Sequence, residues 1–273
     1  MINIWNDKEP VNTDNNNFTP YMTFHKAEKS AGKTVLVIPG GGYANCCDTY
    51  EGEDVAEFFA GFGVDAFVLR YTVTSFNNGR PVFPKPFLDI ARAVRYIRAN
   101  AEKFGVNGNC LGVMGFSAGA HLCAWLSTKW YEKYEDCDDL FDKYSARPDW
   151  CVLCYGVLDL HRVTPYTATG INLLGESATE EMKESLSCIA NVTKDTPPTF
   201  LFHTYSDQIV PVINSVKYYE AMLECGVPGE LHIYEPGNHG MGIGIPVPHI
   251  KEEDRKYCEK WVELLKNWVN DII

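Results

Sequence analysis

Residues 111–121 read Leu-Gly-Val-Met-Gly-Phe-Ser-Ala-Gly-Ala-His, an apolar run that stops at Gly115-Phe116-Ser117-Ala118-Gly119. A helix-compatible segment, Ala120 to Leu126, follows it. A G-x-S-x-G pattern between a strand and a helix is the signature of a nucleophile elbow, a sharp turn that exposes a serine oxygen at the C-terminal edge of a sheet. The glycines at 115 and 119 have a steric reason, since Cβ atoms there would collide with the neighbouring strand and helix. The serine itself is expected in strained backbone. The helix behind it would point free N–H groups at developing negative charge. The competing reading is a structural Gly-Ser turn, and the partners of Ser117 must decide between the two.

Ligands of open α/β sheets collect at the carboxyl ends of the strands. Polar residues just after each strand candidate are therefore the ones to inspect. Pro39-Gly40-Gly41-Gly42-Tyr43 follows the first buried strand. It reads either as an oxyanion hole, where backbone N–H groups approach substrate without Cβ interference, or as an ordinary flexible turn. Asp207, in Thr204-Tyr-Ser-Asp-Gln-Ile-Val-Pro211, follows the next-to-last strand. It suits an acid that orients a histidine, or equally a turn or N-cap aspartate. Asp159 is the rival acid, and Asp195 a weaker one because it precedes its strand. His239, in Pro236-Gly-Asn-His-Gly240, follows the last strand and could swing its ring toward a serine on a neighbouring one. His203 and His232 lie inside strands and His121 on the elbow helix, so all three are expected to satisfy local hydrogen bonds. His25, His161 and His249 have no supporting context.

The elements that must position these groups alternate along the chain. Strands are predicted at Thr34–Ile38, 64–74, 111–116, 150–155, Thr199–Thr204 and 230–234, with helical periodicity at 55–62, 87–104, 212–225 and 253–272. Residues 1–30 read as an irregular or edge-strand lead-in, and 128–147 as an acidic, aromatic surface excursion. Residues 158–196 break the rhythm and read as a small cap-like insertion with a short helix at 180–186. Strands alternating with helices imply a mainly parallel sheet covered on both faces, and 1–273 reads as one domain.

The 24 basic against 36 acidic residues give a net charge of −12, which disfavours nucleic acid or an anionic membrane as partner. The N-terminus shows no basic flank before an apolar run and no stretch is long enough to span a membrane, so a cytoplasmic chain is expected. Its ten cysteines then read as reduced core residues. Cys151 and Cys154 form a C-x-x-C within a strand, where residues three apart face opposite sides, so a metal or redox pair is not expected.

At Pro39-Gly-Gly-Gly-Tyr43, Gly115-Phe-Ser-Ala-Gly-Ala-His-Leu122, His203-Thr-Tyr-Ser-Asp207 with Val210-Pro211, and Tyr234-Glu-Pro-Gly-Asn-His-Gly240, the chain resembles the α/β-hydrolase superfamily. Within it, the resemblance is to small esterases of the acetylesterase or acetyl-xylan-esterase type, over roughly residues 30–270. The serine, acid, histidine order along the chain agrees. The resemblance implies a carboxylic-ester hydrolase acting on small-molecule esters, with no cofactor and no metal. It casts Ser117 as nucleophile, His239 as base and Asp207 as its orienter, with an oxyanion hole from the amides of Gly41, Gly42 and Ala118. Pro39 stands where many lipases with a triple-glycine loop have histidine, which favours the sugar-ester-like branch. A serine peptidase-like hydrolase and a small-molecule-binding relative without turnover are the alternatives, and oligomeric state is open.

Overall fold

The computed structural model describes residues 1–5, 18–132, 141–160 and 167–273. His161 and residues 133–140 of the acidic, aromatic excursion, Tyr134 among them, lie outside the described residues, as does the Asn-rich stretch 12–17.

Eight strands form one sheet in the order β1-β2-β4-β3-β5-β6-β7-β8. They are β1 (Ile2–Asn3), β2 (Tyr21–His25), β3 (Lys33–Ile38), β4 (Val64–Arg70), β5 (Leu111–Phe116), β6 (Cys151–Cys154), β7 (Thr199–Thr204) and β8 (Gly229–Tyr234). The first two pair antiparallel at one edge, β1 on β2 and β2 on β4, and every other pairing is parallel. The expected lead-in is thus an antiparallel edge ribbon that continues into the core: Ile4 is buried, and buried Trp5 donates its indole N–H to Asp89 at 3.0 Å.

The central strands are continuous apolar runs because both their faces are covered. Leu36 and Ile38 of β3 face one apolar layer and Val35 and Val37 the other. The first layer is built by α2 (Lys85–Ala99), α4 (Ala118–Lys129) and α7 (Ile213–Glu224), through residues such as Phe87, Val94, Leu122 and Tyr218. The second is built by α1 (Asp54–Gly61) and α9 (Lys260–Asp271), through Phe59, Trp261, Leu265 and Trp268. Each such side chain removed from water contributes about 1.5–3 kcal/mol. Cys151 and Cys154 fall in opposite layers, and the nine cysteines among the described residues are all free thiols.

Two predicted helices are each interrupted. The 87–104 periodicity is α2 followed by α3 (Ala101–Phe104), with the break at Asn100. The Asn100 side-chain amide donates to the Tyr96 carbonyl at 2.9 Å, so a short polar side chain competes for the acceptors that helix continuation needs. The closing segment is α8 (Glu252–Cys258) followed by α9, which resumes through a tighter Val262 N–H to Glu259 carbonyl contact of 3.2 Å. The 158–196 segment carries α5 (Ala168–Leu174), unmarked by any strong periodicity, and α6 (Glu180–Ser185) at the expected place. Thr179 caps α6 by accepting the Met182 N–H at 3.2 Å. No helix among the described residues is long and apolar enough to cross a membrane.

Candidate active site

Ser117 sits between β5 and α4 at φ 51°, ψ −115°, a conformation a non-glycine residue adopts only when its surroundings impose it. They do so by close packing. A Cβ on Gly115 would lie 2.3 Å from the Gly119 carbonyl oxygen, and one on Gly119 would lie 2.1 Å from that of Ile38. The first turn of α4 therefore rests directly on β5 and on the end of β3.

His239 lies in the loop after β8. Its Nε2 is 2.9 Å from Ser117 Oγ, and its Nδ1 is 2.7 Å from Asp207 Oδ2 in the loop after β7. The Asp207 Oδ1 accepts the N–H groups of Ile209 and Val210 at 2.8 and 2.9 Å. Burial works against the Asp207 charge, but hydrogen bonds from His203 and His239 and the backbone outweigh it and hold the carboxyl well below the usual range. The turn role and the partner role foreseen for Asp207 are thus both present in one side chain. Asp159, the rival acid, lies elsewhere: it is buried and accepts the Ser187 hydroxyl at 2.9 Å. Asp195 is in a surface turn, its N–H on Thr193 Oγ1 at 3.2 Å.

The glycine turn after β3 approaches Ser117 from the other side. A Cβ on Gly40 would meet Ser117 Cβ at 3.1 Å and the Phe116 carbonyl at 2.8 Å. Gly41 adopts φ +127°, and a Cβ there would lie 2.1 Å from the Asn45 carbonyl oxygen, so only glycine fits. The N–H groups of Gly41, Gly42 and Ala118 have no acceptor among the described residues. Tyr43 closes the turn and anchors it: its hydroxyl donates to His121 Nδ1 at 2.8 Å, and His121 Nε2–H donates to the Leu186 carbonyl at 3.0 Å. His121 is fully buried, which pushes its imidazole down to about 4 and keeps it neutral. His203 likewise binds locally, to Ser215 and Val210, and His232 to Glu230.

The cleft over Ser117 encloses about 310 Å³. Beyond the residues already described, its walls include Cys47, Tyr50, Glu51, Thr169, Ile209 and His249. The periodicity and motifs give no sign of Glu51 or of Tyr155, whose ring packs edge-on against His239 at 5.0 Å. His249, which looks contextless in the chain, reaches the site because its Nε2 donates to the Gly240 carbonyl at 3.2 Å. Among the described residues, no group of three His, Cys, Asp or Glu side chains is arranged to hold a metal ion.

The family model for BD-FAE matches residues 22–222. The chain belongs to the BD-FAE family. Its fold is that of the α/β-hydrolases, as in an acetyl ester-xyloside bifunctional hydrolase from Caldicellulosiruptor lactoaceticus. That solved structure is 36% identical, with a TM-score of 0.83, over 97% of this chain and 96% of that one. Endo-1,4-beta-xylanase B of Butyrivibrio fibrisolvens is 36% identical over 242 residues, 88% of this chain and 38% of the xylanase. An acetylxylan esterase of Xylanibacter ruminicola is 29% identical over 249 residues, 90% of this chain and 47% of the esterase. This BD-FAE chain therefore spans less than half the length of these two curated relatives.

Proposed function

We propose that the chain is a serine carboxylesterase that hydrolyses short-chain esters, acetyl esters of sugars or xylo-oligosaccharides in particular. The observation that carries the reading is the unbroken line of contacts from Ser117 Oγ through His239 to Asp207, 2.9 and 2.7 Å long, beside three N–H groups with no acceptor among the described residues. Ser117 Oγ attacks the ester carbonyl as His239 Nε2 takes its proton, and Asp207 holds the ring in the Nδ1–H tautomer and stabilises the imidazolium. The amides of Gly41, Gly42 and Ala118 hold the tetrahedral oxyanion. The imidazolium then protonates the leaving alcohol, and water, activated by the same histidine, releases the acid and restores the serine.

The modest cleft volume supports a short acyl group, and the names of the relatives support a sugar ester. In this reading 1–273 is one domain and 158–196 a cap-like insertion. Its support is that α5 brings Thr169 to the cleft and that Asn172 donates its side-chain amide to the Gly42 carbonyl at 2.8 Å. The test pairs a p-nitrophenyl acyl series, acetate through octanoate, with acetylated xylan fragments and a fluorophosphonate probe. Expected are fastest turnover of acetate, release of acetate from the fragments and one label per chain on Ser117. A chain that binds the fragments but neither labels nor hydrolyses acetate would be a binding relative instead. Octanoate outpacing acetate would remove the short-acyl claim.

A further inference from the structure

Glu51 is a buried carboxylate at the cleft wall, 2% exposed, in a single π-helical turn (Thr49–Glu53) that leads into α1. Such turns are insertions into regular helix and are frequent at functional sites. A carboxylate held out of water is costly unless strong donors compensate it. Here each oxygen has one. Oε2 accepts the N–H of Gly40 at 2.9 Å, and Oε1 accepts the hydroxyl of Tyr155 at 2.7 Å. The Tyr155 oxygen in turn accepts the N–H of Gly242 at 3.0 Å. Tyr155 follows β6 in a left-handed conformation, φ 40°, while its ring packs against His239.

These bonds connect three loops from three strand ends. Gly40 begins the turn that presents the Gly41 and Gly42 amides, Tyr155 lies behind the imidazole, and Gly242 is three residues past His239. On the reading of Ser117 as nucleophile, we propose that Glu51 is a positioning residue for ester hydrolysis which, through Tyr155, fixes the oxyanion donors and His239 relative to one another. The carboxylate is suited to this work because both its oxygens are acceptors, one facing the Gly40 N–H and the other the Tyr155 hydroxyl. Its contribution is expected in the chemical step and not in substrate affinity, since its oxygens are occupied by the protein.

The experiment uses Glu51→Gln, Tyr155→Phe and the double variant, with p-nitrophenyl acetate and a fluorophosphonate probe. In Glu51→Gln one amide oxygen can still serve Gly40, but the NH2 group meets a hydroxyl that needs an acceptor. Tyr155→Phe keeps the ring on His239 and removes only the hydroxyl link. Misplacement by an ångström or less costs up to about 10²-fold. Expected are single-turnover acylation rates lowered about 10–100-fold in each single variant and KM within about threefold of wild type. The double variant should be no slower than the worse single one, because both break one chain of contacts. Labelling of Ser117 should stay stoichiometric but slow. A folded Glu51→Gln with wild-type acylation overturns the proposal, as does a loss confined to KM or losses that multiply in the double variant. If Glu51→Gln fails to fold, Tyr155→Phe decides alone: full activity overturns the link and the slowed chemical step sustains it. A failure of the esterase reading looks different, since the wild-type chain would then neither label nor turn over.

Discussion

Acidification should loosen this protein through one histidine that takes no part in the Ser117–His239–Asp207 contacts. His121 is fully buried, accepts the Tyr43 hydroxyl at Nδ1 and donates from Nε2 to the Leu186 carbonyl. Burial depresses its imidazole from an ordinary 6.5 to about 4. Between those values the unfolded chain binds the proton and the folded one does not. Its contribution is therefore complete above pH 6.5 and is lost as pH falls toward 4. At about 1.4 kcal/mol per pH unit, that gap is worth about 3 kcal/mol. A protonated Nδ1 can no longer accept from Tyr43, so the same event releases the anchor of the glycine turn. The assay is urea unfolding from pH 7 to pH 4.5 for wild type and His121→Gln, which keeps a polar group without an ionisable one. Having lost part of the hydrogen bonding, the variant should be less stable at pH 7 by about 1–3 kcal/mol. Its decline below pH 6.5 should be shallower than that of wild type, so the two curves converge. Curves that fall in parallel would refute the assignment of the acid sensitivity to His121.

Asp207→Asn should lower kcat by about 10⁴-fold, since the amide cannot hold His239 in the Nδ1–H tautomer, with steady-state kinetics as the check. Asp159→Asn should keep kcat within about tenfold of wild type, because its partner is Ser187 and not His239. Gly41→Ala places a Cβ 2.1 Å from the Asn45 carbonyl oxygen at φ +127°. The turn must shift, and acylation should fall by about 10²-fold or more, as for a lost oxyanion donor. The lowered Asp207 carboxyl stabilises the fold above about pH 4 and that contribution is lost at more acid pH, so Asp207→Asn should flatten the most acid part of the unfolding profile.

Of the groups that meet at Ser117, the serine and Asp207 were visible because each follows a strand, β5 or β7, that its neighbours oblige to be buried. His239 instead follows the half-buried edge strand β8 and was marked by its glycine-flanked loop. Ser117, Asp207 and His239 all stand within five residues of a β-run, and a parallel sheet gathers such positions at one edge. Glycines at 41, 115 and 119 were visible for the same local reason, a backbone approach that forbids Cβ. Glu51 was not, because within Tyr50-Glu-Gly-Glu-Asp54 a buried carboxylate looks like its solvated neighbours. Only the π-helical turn, which no residue pattern announces, directs it inward. Tyr155 was hidden in the same way, as one more aromatic at the end of a strand. Interruptions at Asn100 and Glu259 were invisible to periodicity, which persists through a single break in register. His249 comes to the site through the tertiary path of a loop, and nothing near it in the chain records that path.

The close approach of Gly119 to the Ile38 carbonyl sets one limit on how this cleft can change, and the side chains of its lining set another. At the first, helix and strand touch without intervening side chains, so any enlargement there would drag the serine and the glycine turn apart together. The lining includes side chains such as Thr169 and Ile209, which leave ordinary freedom to shrink or grow. Breeding this scaffold toward bulkier acids or alcohols should therefore succeed at positions 169 and 209 and stall wherever a library reaches into the strand ends.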